Sequence, residues 1–471
     1  MGLACEPEFG PAGSKGAAMK ISLINVSLLF AFAVLSVRAE ILTVGEAGTF
    51  QTIGSAIAAA KAGDTIQVGS GIYVGNLLID KSLSIEGNGS PVIKGIGKGS
   101  VVEIIADRCS IKGLRIETSG SDLIDEDAGI LLRSNGNTLE GNELSDVLFG
   151  VYLFQSAGNI IRSNRITGKP ELESGERGGG FHLWNSPRNL LEDNIVTYAR
   201  DGIYVQNSPN NIFRRNRISN LRYGLHFMNS DDNTFEDNVF FDNIAGAAIM
   251  YSKKIELRRN TFVHNRGFSS FGILFQDCRE CLTEENLILD NAVGLFLEAS
   301  KSSVFRRNTI AENDVAMQIF ASSDENTFTH NNFINNISPL QLIGKVSSTK
   351  WQSEDGGNYW SEYDGYDLDG NGVGDVPHRI HNIFEYLEGN LPRLRIYLNS
   401  PAAQSIAAAE KSFPILKGSN EIDGKPIMRP IKIGTTFTSR AKGGNARSIL
   451  FVFSIFLLGL SLSVFKRGFA K

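Results

Sequence analysis

The sequence has few cysteines, few prolines and no excess of positive charge. Its 471 residues include 4 cysteines and 13 prolines, and the formal net charge is −5. So few cysteines cannot form the disulfide framework that holds small exported domains together, so the fold must rest on a hydrophobic core. Because there is no basic tail or stripe, we expect no nucleic-acid partner.

The first residues contain one apolar segment with the features of a secretory signal. An apolar run follows Met19 and Lys20 and ends in small residues at Ala39. This order predicts a signal peptide over 19–39 and export of the mature chain. Met19 is an alternative start to Met1, and retention of the segment as a membrane anchor is the alternative to cleavage.

The centre of the chain repeats the phrase Asn-x-apolar nine times, with five of the eight steps equal to 22 residues. A fixed period of this length is typical of a solenoid, in which each repeat packs only on its neighbours. The marking asparagines are Asn142, Asn164, Asn194, Asn216, Asn238, Asn260, Asn286, Asn308 and Asn331.

Each repeat also contains a glycine-led strand, as in Gly202-Ile-Tyr-Val. The first and third residues after the glycine are apolar and are expected to point inward, whereas the second points outward. A second polar column lies five residues before each mark and is mostly asparagine, which suits a turn. The sequence therefore predicts an all-β parallel β-helix over 40–346, with an N-terminal capping helix inside 50–61.

The charges before each mark alternate in sign from repeat to repeat, from Glu192-Asp193 and Arg214-Arg215 onward. Stacked repeats would bring these pairs together, so we interpret them as a structural ion-pair stripe. Two insertions break the period, one at 168–180 and one at 266–271. Both are candidate functional loops.

After residue 346 the repeat stops, and three further segments are predicted. An Asp/Gly-rich capping segment covers 347–398, and a helix with an extended tail covers 399–447. Residues 448–465 are uncharged and mainly apolar, which predicts a transmembrane helix anchoring a periplasmic protein to the inner membrane.

Histidine and methionine residues fall on the outward columns of the predicted β-helix. His182, His226, Met228 and Met250 lie on one face, and imidazole with thioether donors suits Cu(I). The alternative is an apolar face that docks a protein partner, with Phe154, Trp184 and Tyr204 as contact residues.

Oxygen-bearing residues in the capping segment have the spacing of a calcium loop, although His378 replaces the usual final glutamate. The alternative is an Asx-rich turn. The expected ligands are Asp367, Asp369, Asn371, the Val373 carbonyl and Asp375.

Cys278 and Cys281 have the spacing of a Cys-x-x-Cys pair. Cys281, however, falls in the asparagine column five residues before Asn286, and Cys278 falls in a serine column of the same turn. A turn disulfide or buried thiols is favoured over a zinc site, because a second pair is missing.

The repeats and the tail each carry a resemblance to known proteins. The repeats up to about Gly344 resemble the right-handed β-helix of the pectin-lyase-like class, and two stretches of the tail resemble one family. Gly357-Asn-Tyr-Trp and Pro426-Ile-Met-Arg-Pro430 are similar to the NosD family of periplasmic maturation proteins of nitrous oxide reductase. The resemblance implies a non-enzymatic role in copper-centre assembly, with an ABC transporter permease and ATPase, a copper chaperone and the reductase as partners. It also points to Pro426, Met428 and Arg429 as docking residues.

Two other functions fit the architecture. An exported polysaccharide lyase or hydrolase would need paired carboxylates in a cleft, and Asp201 is the best single candidate. A plain adhesion solenoid is the third possibility. Fold class by itself does not decide among them.

Overall fold

The computed structural model describes residues 39–344, 348–380 and 421–434, together with positions 393, 400–402 and 405. Contacts divide the chain into residues 1–39 and residues 40–471, and every element below belongs to the second unit. The predicted signal peptide and the predicted membrane helix at 448–465 lie outside the described residues, apart from Ala39. Most of the predicted helix and tail at 399–447 lies outside them too.

Three parallel sheets wind into one solenoid, which confirms the predicted β-helix. The sheets have 13, 12 and 13 strands, and each strand pairs with the equivalent strand of the next turn. We call one turn, with its strand in each sheet, a rung. The register keeps equivalent residues opposite each other, as in Tyr204 opposite His226.

The strands of the first sheet are Ile41–Val44, Thr65–Val68, Ser84–Gly87, Ser110–Lys112, Thr138–Glu140, Ile160–Arg162, Leu190–Glu192, Ile212–Arg214, Thr234–Glu236, Glu256–Arg258, Leu282–Glu284, Val304–Arg306 and Thr327–Thr329. Those of the second sheet are Leu77–Ile79, Val102–Ile104, Ala128–Leu132, Phe149–Phe154, Phe181–Trp184, Asp201–Gln206, Tyr223–Met228, Ala245–Met250, Ile273–Gln276, Val293–Glu298, Val315–Phe320 and Ser338–Ile343. Those of the third are Ile72–Val74, Val92–Lys94, Arg115–Glu117, Glu143–Ser145, Arg165–Thr167, Ile195–Thr197, Arg217–Ser219, Val239–Phe241, Thr261–Val263, Leu287–Leu289, Thr309–Ala311, Asn332–Ile334 and Tyr359–Trp360.

The inward residues of the three sheets form one continuous core. Equivalent aromatic side chains stack from rung to rung, with 4.6 Å between the ring centroids of Phe213 and Phe235 and 4.5 Å between those of Phe305 and Phe328. Eight of the twelve second-sheet strands have a glycine at or beside their first residue, which permits close packing, because a Cβ on Gly224 would lie 2.6 Å from the Gly246 carbonyl oxygen. Side-chain alternation therefore places the core where the sequence predicts it.

The Asn-x-apolar asparagines form a buried hydrogen-bonded ladder. The Asn216 backbone N–H donates to Asn238 Oδ1 at 3.0 Å, and Asn216 Nδ2 donates to the same oxygen at 3.0 Å. The same side-chain amide donates to the Leu191 carbonyl at 2.9 Å. Each asparagine side chain thus accepts a backbone N–H and donates to a backbone carbonyl of the preceding rung, which explains the fixed spacing of the repeat.

The predicted charge stripe is present as ion pairs between rungs. Arg215 contacts Asp193 at 2.7 Å and Glu192 at 2.9 Å. Glu284 lies between Arg258 and Arg306 and contacts Arg306 Nε at 2.7 Å. Both partners of each ion pair belong to neighbouring rungs of the solenoid, so the stripe is part of the scaffold.

Both ends of the solenoid are covered. The helix Ile53–Ala59 begins at Thr52, whose side chain accepts the Ser55 N–H, and it packs on the first strands of the first and second sheets. At the other end, the strand Ile422–Asp423 pairs antiparallel with His378–Arg379. Asp423 is fully buried there and accepts the backbone N–H of Asn358.

Candidate functional site

The candidate site lies on the outward side of the second sheet, which we call the outer face. Its first column brings Tyr152, His182, Tyr204 and His226 into successive register positions. The ring centroids are 4.5 Å apart for Tyr152 and His182, 4.4 Å for His182 and Tyr204, and 4.9 Å for Tyr204 and His226. The column is therefore a continuous stack of rings.

The second column contains the two methionines. Met228 is directly opposite Met250 in neighbouring strands, and both are half-buried. His226 lies two residues before Met228 on the same side of the same strand. The structure thus brings His226, Met228 and Met250 to adjacent positions, and it places His182 two strands away from His226 with Tyr204 between them.

Asp201 holds His226 in place. Its carboxylate lies 3.1 Å from His226 Nδ1 and accepts two hydrogen bonds from Arg222, at 3.0 Å from Nε and 2.8 Å from Nη2. Burial raises the pKa of Asp201, but the hydrogen bonds from His226 and Arg222 outweigh it, and the pKa lies below its usual range. This contact involves only the Nδ1 atom of His226.

These contacts also bear on glycan cleavage. A general acid or base must exchange a proton with substrate, whereas both oxygens of Asp201 accept hydrogen bonds from Arg222 and the side chain is only 1% exposed. Asp201 therefore fits a role in positioning His226 better than a catalytic one.

His182 has a different environment from His226. Burial, together with the nearby Arg200 cation, lowers the pKa of His182 from 6.5 to about 3. Among the described residues, its Nδ1 atom has no hydrogen-bond partner. The imidazole is therefore neutral at physiological pH.

The predicted docking residues differ in accessibility. Phe154 and Trp184 pack with Leu172 of the 168–180 insertion against a small cluster that includes Tyr152. Tyr152 is the second residue after Gly150 and so belongs to the outward column, yet it is only 1% exposed. It lies in a cluster against which Leu172 of the insertion packs, and its hydroxyl donates to Glu126 at 2.7 Å. Tyr204 remains half-buried.

The tail residues predicted to dock lie beside the Asp/Gly-rich loop. The Pro426 carbonyl accepts the Gly374 N–H at 2.8 Å, and the Met428 N–H donates to the Gly372 carbonyl at 3.0 Å. Pro426 is buried against the chain itself, Met428 is half-buried, and Arg429 is exposed. Only the last two are accessible to a partner.

The proposed calcium ligands are engaged in hydrogen bonds within their own loop. Asp367 accepts the backbone N–H groups of Gly370 and Gly372, each at 2.8 Å, and Asp375 accepts that of Leu368 at 2.7 Å. Asn371 Oδ1 accepts the Val373 N–H, and Asp369 accepts from Asn371. These contacts are those of the Asx-rich turn, and calcium is not supported.

Across residues 39–344, 348–380 and 421–434, no three His, Cys, Asp or Glu side chains form a group that could hold a metal ion. Over the same ranges, none of the helices has the length and apolar character needed to cross a bilayer. Cys278 and Cys281 are buried free thiols, as is Cys109.

Two features of the site were missed in the sequence. Arg222, which holds Asp201, lies just before the Gly224 strand, and only the stacked register shows that it reaches the previous rung. A further asparagine ladder was also missed, although its members recur five residues after the marks. They are Asn243, Asn265, Asn291, Asn313 and Asn336.

Comparison with known proteins shows the family to which this chain is related. Residues 163–365 match the family described as periplasmic copper-binding protein (NosD). A relative from Pseudomonas aeruginosa, named probable ABC transporter binding protein NosD, is 32% identical over 376 residues, covering 76% of this chain and 87% of its own. The chain belongs to the NosD family. A NosD of the same name from Stutzerimonas stutzeri is 29% identical over 374 residues, covering 76% of this chain and 86% of its own.

Solved structures share the β-helix with this NosD-family chain. The A-module of a mannuronan C-5 epimerase from Azotobacter vinelandii is similar with a TM-score of 0.51 and 13% identity, covering 64% of this chain and 93% of the module. The catalytic domain of an α-1,3-glucanase gives a TM-score of 0.54 and 14% identity, covering 68% of this chain and 69% of its own. At these identities the likeness concerns the fold alone. The NosD relatives are named as binding proteins rather than enzymes.

Proposed function

We propose that this chain is a periplasmic scaffold that carries Cu(I) on its outer face and delivers it during assembly of the copper centres of nitrous oxide reductase. The observation that carries the proposal is the placement of His226, Met228 and Met250 at adjacent positions. Imidazole and thioether are soft donors that suit Cu(I). The family description as copper-binding supports the same assignment.

Asp201 gives the proposed site its histidine geometry. A histidine that binds a metal through one ring nitrogen usually donates the other N–H to a carboxylate, which fixes the ring and its tautomer. Asp201, held by Arg222, is placed to do this for His226 Nδ1, so Nε2 would bind copper. In this proposal copper is cargo, and a thioether pair binds it weakly enough for release.

His182 has a separate place in the proposal. Its neutral imidazole lies on the far side of Tyr204 from His226, two strands along the outer face. It could serve as a second soft donor on the path of the ion across that face. Its test is separate from that of the methionine site.

We assign the partners from the family. The relatives are named for an ABC transporter, and we propose that this chain binds the permease and ATPase of such a transporter. A copper chaperone would load the outer face, and the reductase would accept the ion. Half-buried aromatic and apolar side chains along that face, including Tyr223, Leu274 and Phe296, offer a docking surface.

The first experiment is a Cu(I) competition titration with a chromophoric chelator. The triple variant His226→Ala, Met228→Ala, Met250→Ala should lose the Cu(I) bound by the parent chain. A matched control is Gln276→Ala with Glu298→Ala, which changes the same column in the next two rungs without removing sulfur. Unchanged copper stoichiometry and unchanged reductase activation in the triple variant would refute the proposal.

A second variant tests the role of Asp201. Asp201→Asn keeps the shape of the side chain but weakens its hold on His226, so Cu(I) affinity should fall by about 10-fold or more. Arg200→Gln is the control, because its side chain lies 3.7 Å from Asp201 without contacting His226 through a hydrogen bond. Equal affinity in the Asp201 variant and the parent would exclude this positioning role.

A further inference from the structure

Cys278 and Cys281 occupy the places of two polar residues that touch each other in other rungs. In two earlier rungs, the side chains of a serine and of an asparagine three residues later meet across the same turn. Nδ2 of Asn137 donates to Ser134 Oγ at 3.1 Å, and Nδ2 of Asn159 donates to Ser156 Oγ at 2.8 Å. The repeat therefore directs the two cysteine side chains toward each other.

The turn with the cysteines lacks an asparagine amide. In three successive rungs the column five residues before the marks holds Ile255, Cys281 and Ser303 in place of asparagine, although the Cys281 N–H still donates to Ser303 Oγ at 3.1 Å. The Cys278 thiol donates to the Ile249 carbonyl at 3.2 Å, and the Cys281 thiol donates to the Arg279 carbonyl at 3.4 Å. Both cysteines are buried, at 0% and 2% exposed.

The two thiols differ in acidity. Contact with Cys281, with burial added, raises the pKa of the Cys278 thiol well above its usual value. The same contact outweighs burial at Cys281 and lowers the pKa of that thiol.

We propose that Cys278 and Cys281 form a disulfide in the exported protein and that this bond closes the turn between the strands Ile273–Gln276 and Leu282–Glu284. The bond takes the place of the serine–asparagine contact seen at Ser134 and Asn137 and at Ser156 and Asn159. The inference concerns the scaffold and does not rest on the proposed copper function. It needs only an oxidising compartment, in keeping with the periplasmic family.

The reaction is exchange with the disulfide of an exported thiol–disulfide oxidoreductase. The thiolate of one of the two cysteines attacks one sulfur of that disulfide, forms a mixed disulfide and releases one thiolate of the oxidant. The other cysteine then loses its proton, attacks the sulfur of the first cysteine and releases the second thiolate. Two electrons and two protons pass to the oxidant. Because both sulfurs are buried, the exchange takes place before the neighbouring rungs close over them.

A Cu(I) ion bound by the two thiolates is the competing occupant of this turn. Such a complex carries one net negative charge, and an unpaired charge is costly in a dry core. A disulfide is neutral and has no such cost. The core position among Ile249, Ile255 and their neighbours therefore favours the disulfide.

The test is peptide mapping of the full chain after export, with acid quenching, denaturation and alkylation. Without reductant, the peptide containing Cys278 and Cys281 should stay unalkylated and weigh 2 Da less than the dithiol, whereas the Cys109 peptide should be alkylated. With reductant, both should be alkylated. Full alkylation without reductant, or a copper adduct on the native chain with intact thiols, would overturn the proposal.

A variant pair gives a second readout. Cys278→Ser with Cys281→Asn rebuilds the side chains found in the other rungs, so this double variant should fold and should lose all sensitivity to reductant. In the parent and in the Cys109→Ser control, reductant should lower the urea midpoint. If reductant leaves the parent midpoint unchanged, the two cysteines are not bonded and the proposal fails. The copper titration of the outer face tests different residues, so its outcome does not depend on whether the two cysteines are bonded.

Discussion

The Asp423 carboxylate lies 2.7 Å from the backbone nitrogen of Asn358 and ends the asparagine ladder that runs through the whole repeat. The same carboxylate accepts the Trp360 indole N–H at 3.0 Å, and Asp423 is fully buried. Asn358 Oδ1 in turn accepts the backbone N–H of Asn331. A residue 65 positions further along the chain thus completes the hydrogen bonds of the last rung.

Replacing Asp423 should weaken this end of the solenoid. Asp423→Ala leaves the N–H groups of Asn358 and Trp360 buried without an acceptor, and each orphaned group costs about 1–3 kcal/mol. Burial raises the pKa of Asp423, so part of this loss is offset by removal of a desolvated charge. We expect the free energy of unfolding to fall by about 2 kcal/mol, measured by urea denaturation with tryptophan fluorescence.

The matched control for this prediction is Asp355→Ala, which removes an exposed carboxylate from the same segment. Its free energy of unfolding should stay within about 0.5 kcal/mol of that of the parent. Equal midpoints for the two variants would show that Asp423 does not hold the terminal rung.

The interior of the ladder should be more sensitive still. Asn216→Asp keeps the oxygen that accepts from Asn194 but puts a second oxygen against Asn238 Oδ1 and the Leu191 carbonyl. A buried carboxylate without a counter-charge costs about 3 kcal/mol or more. We expect a deficit of that size in urea denaturation at pH 7.

A pH series separates charge from shape in the same variant. Protonation of the new carboxyl restores a donor toward the neighbouring carbonyl, so the deficit should shrink as the pH falls toward 5. Asn220→Asp is the control, because Asn220 is exposed in a neighbouring turn. A deficit in Asn216→Asp that does not change with pH would contradict the charge explanation.

The period of the repeat predicted the fold because side-chain spacing fixes both the inward residues and the register. The Asn-x-apolar marks, the glycine-led strands and the alternating charges are local patterns, and each has a counterpart in the structure. The strands Ile72–Val74 and Val92–Lys94 were missed, because the early rungs lack the marking asparagine.

The outer face was harder to predict because its environment comes from residues outside the repeat. Period alone makes Tyr152 an outward and exposed residue, whereas Leu172 of the insertion belongs to the cluster that buries it. The partner of Asp423 is similarly distant, since Asn358 lies 65 residues away. Contacts of this kind carry no signal in local spacing.

The ion-pair stripe should make a modest contribution that depends on salt. Glu284, 14% exposed, lies between the arginines Arg258 and Arg306 of the adjacent rungs. Glu284→Gln should lower the free energy of unfolding by about 1 kcal/mol at low salt, and 1 M salt should reduce the difference. Glu284→Arg, which places three arginines in succession, should cost about 2 kcal/mol or more.

The control for the stripe is Glu312→Gln, which changes an exposed glutamate near the end of the solenoid. It should have little effect at either salt concentration. If Glu284→Arg is as stable as Glu284→Gln, the alternation of sign has no energetic role.

His182 should make the stability of the fold depend on pH below neutrality. Burial lowers its pKa to about 3 in the folded chain, so the unfolded chain binds a proton between pH 6.5 and 3 and the folded chain does not. Stability therefore falls as the pH falls through this window, by up to about 1.4 kcal/mol per pH unit. His182→Phe keeps a ring between Tyr152 and Tyr204 but cannot titrate. Its urea midpoint should change less than that of the parent between pH 6.5 and 4.5, and parallel curves for the two proteins would show that His182 is protonated in the folded state.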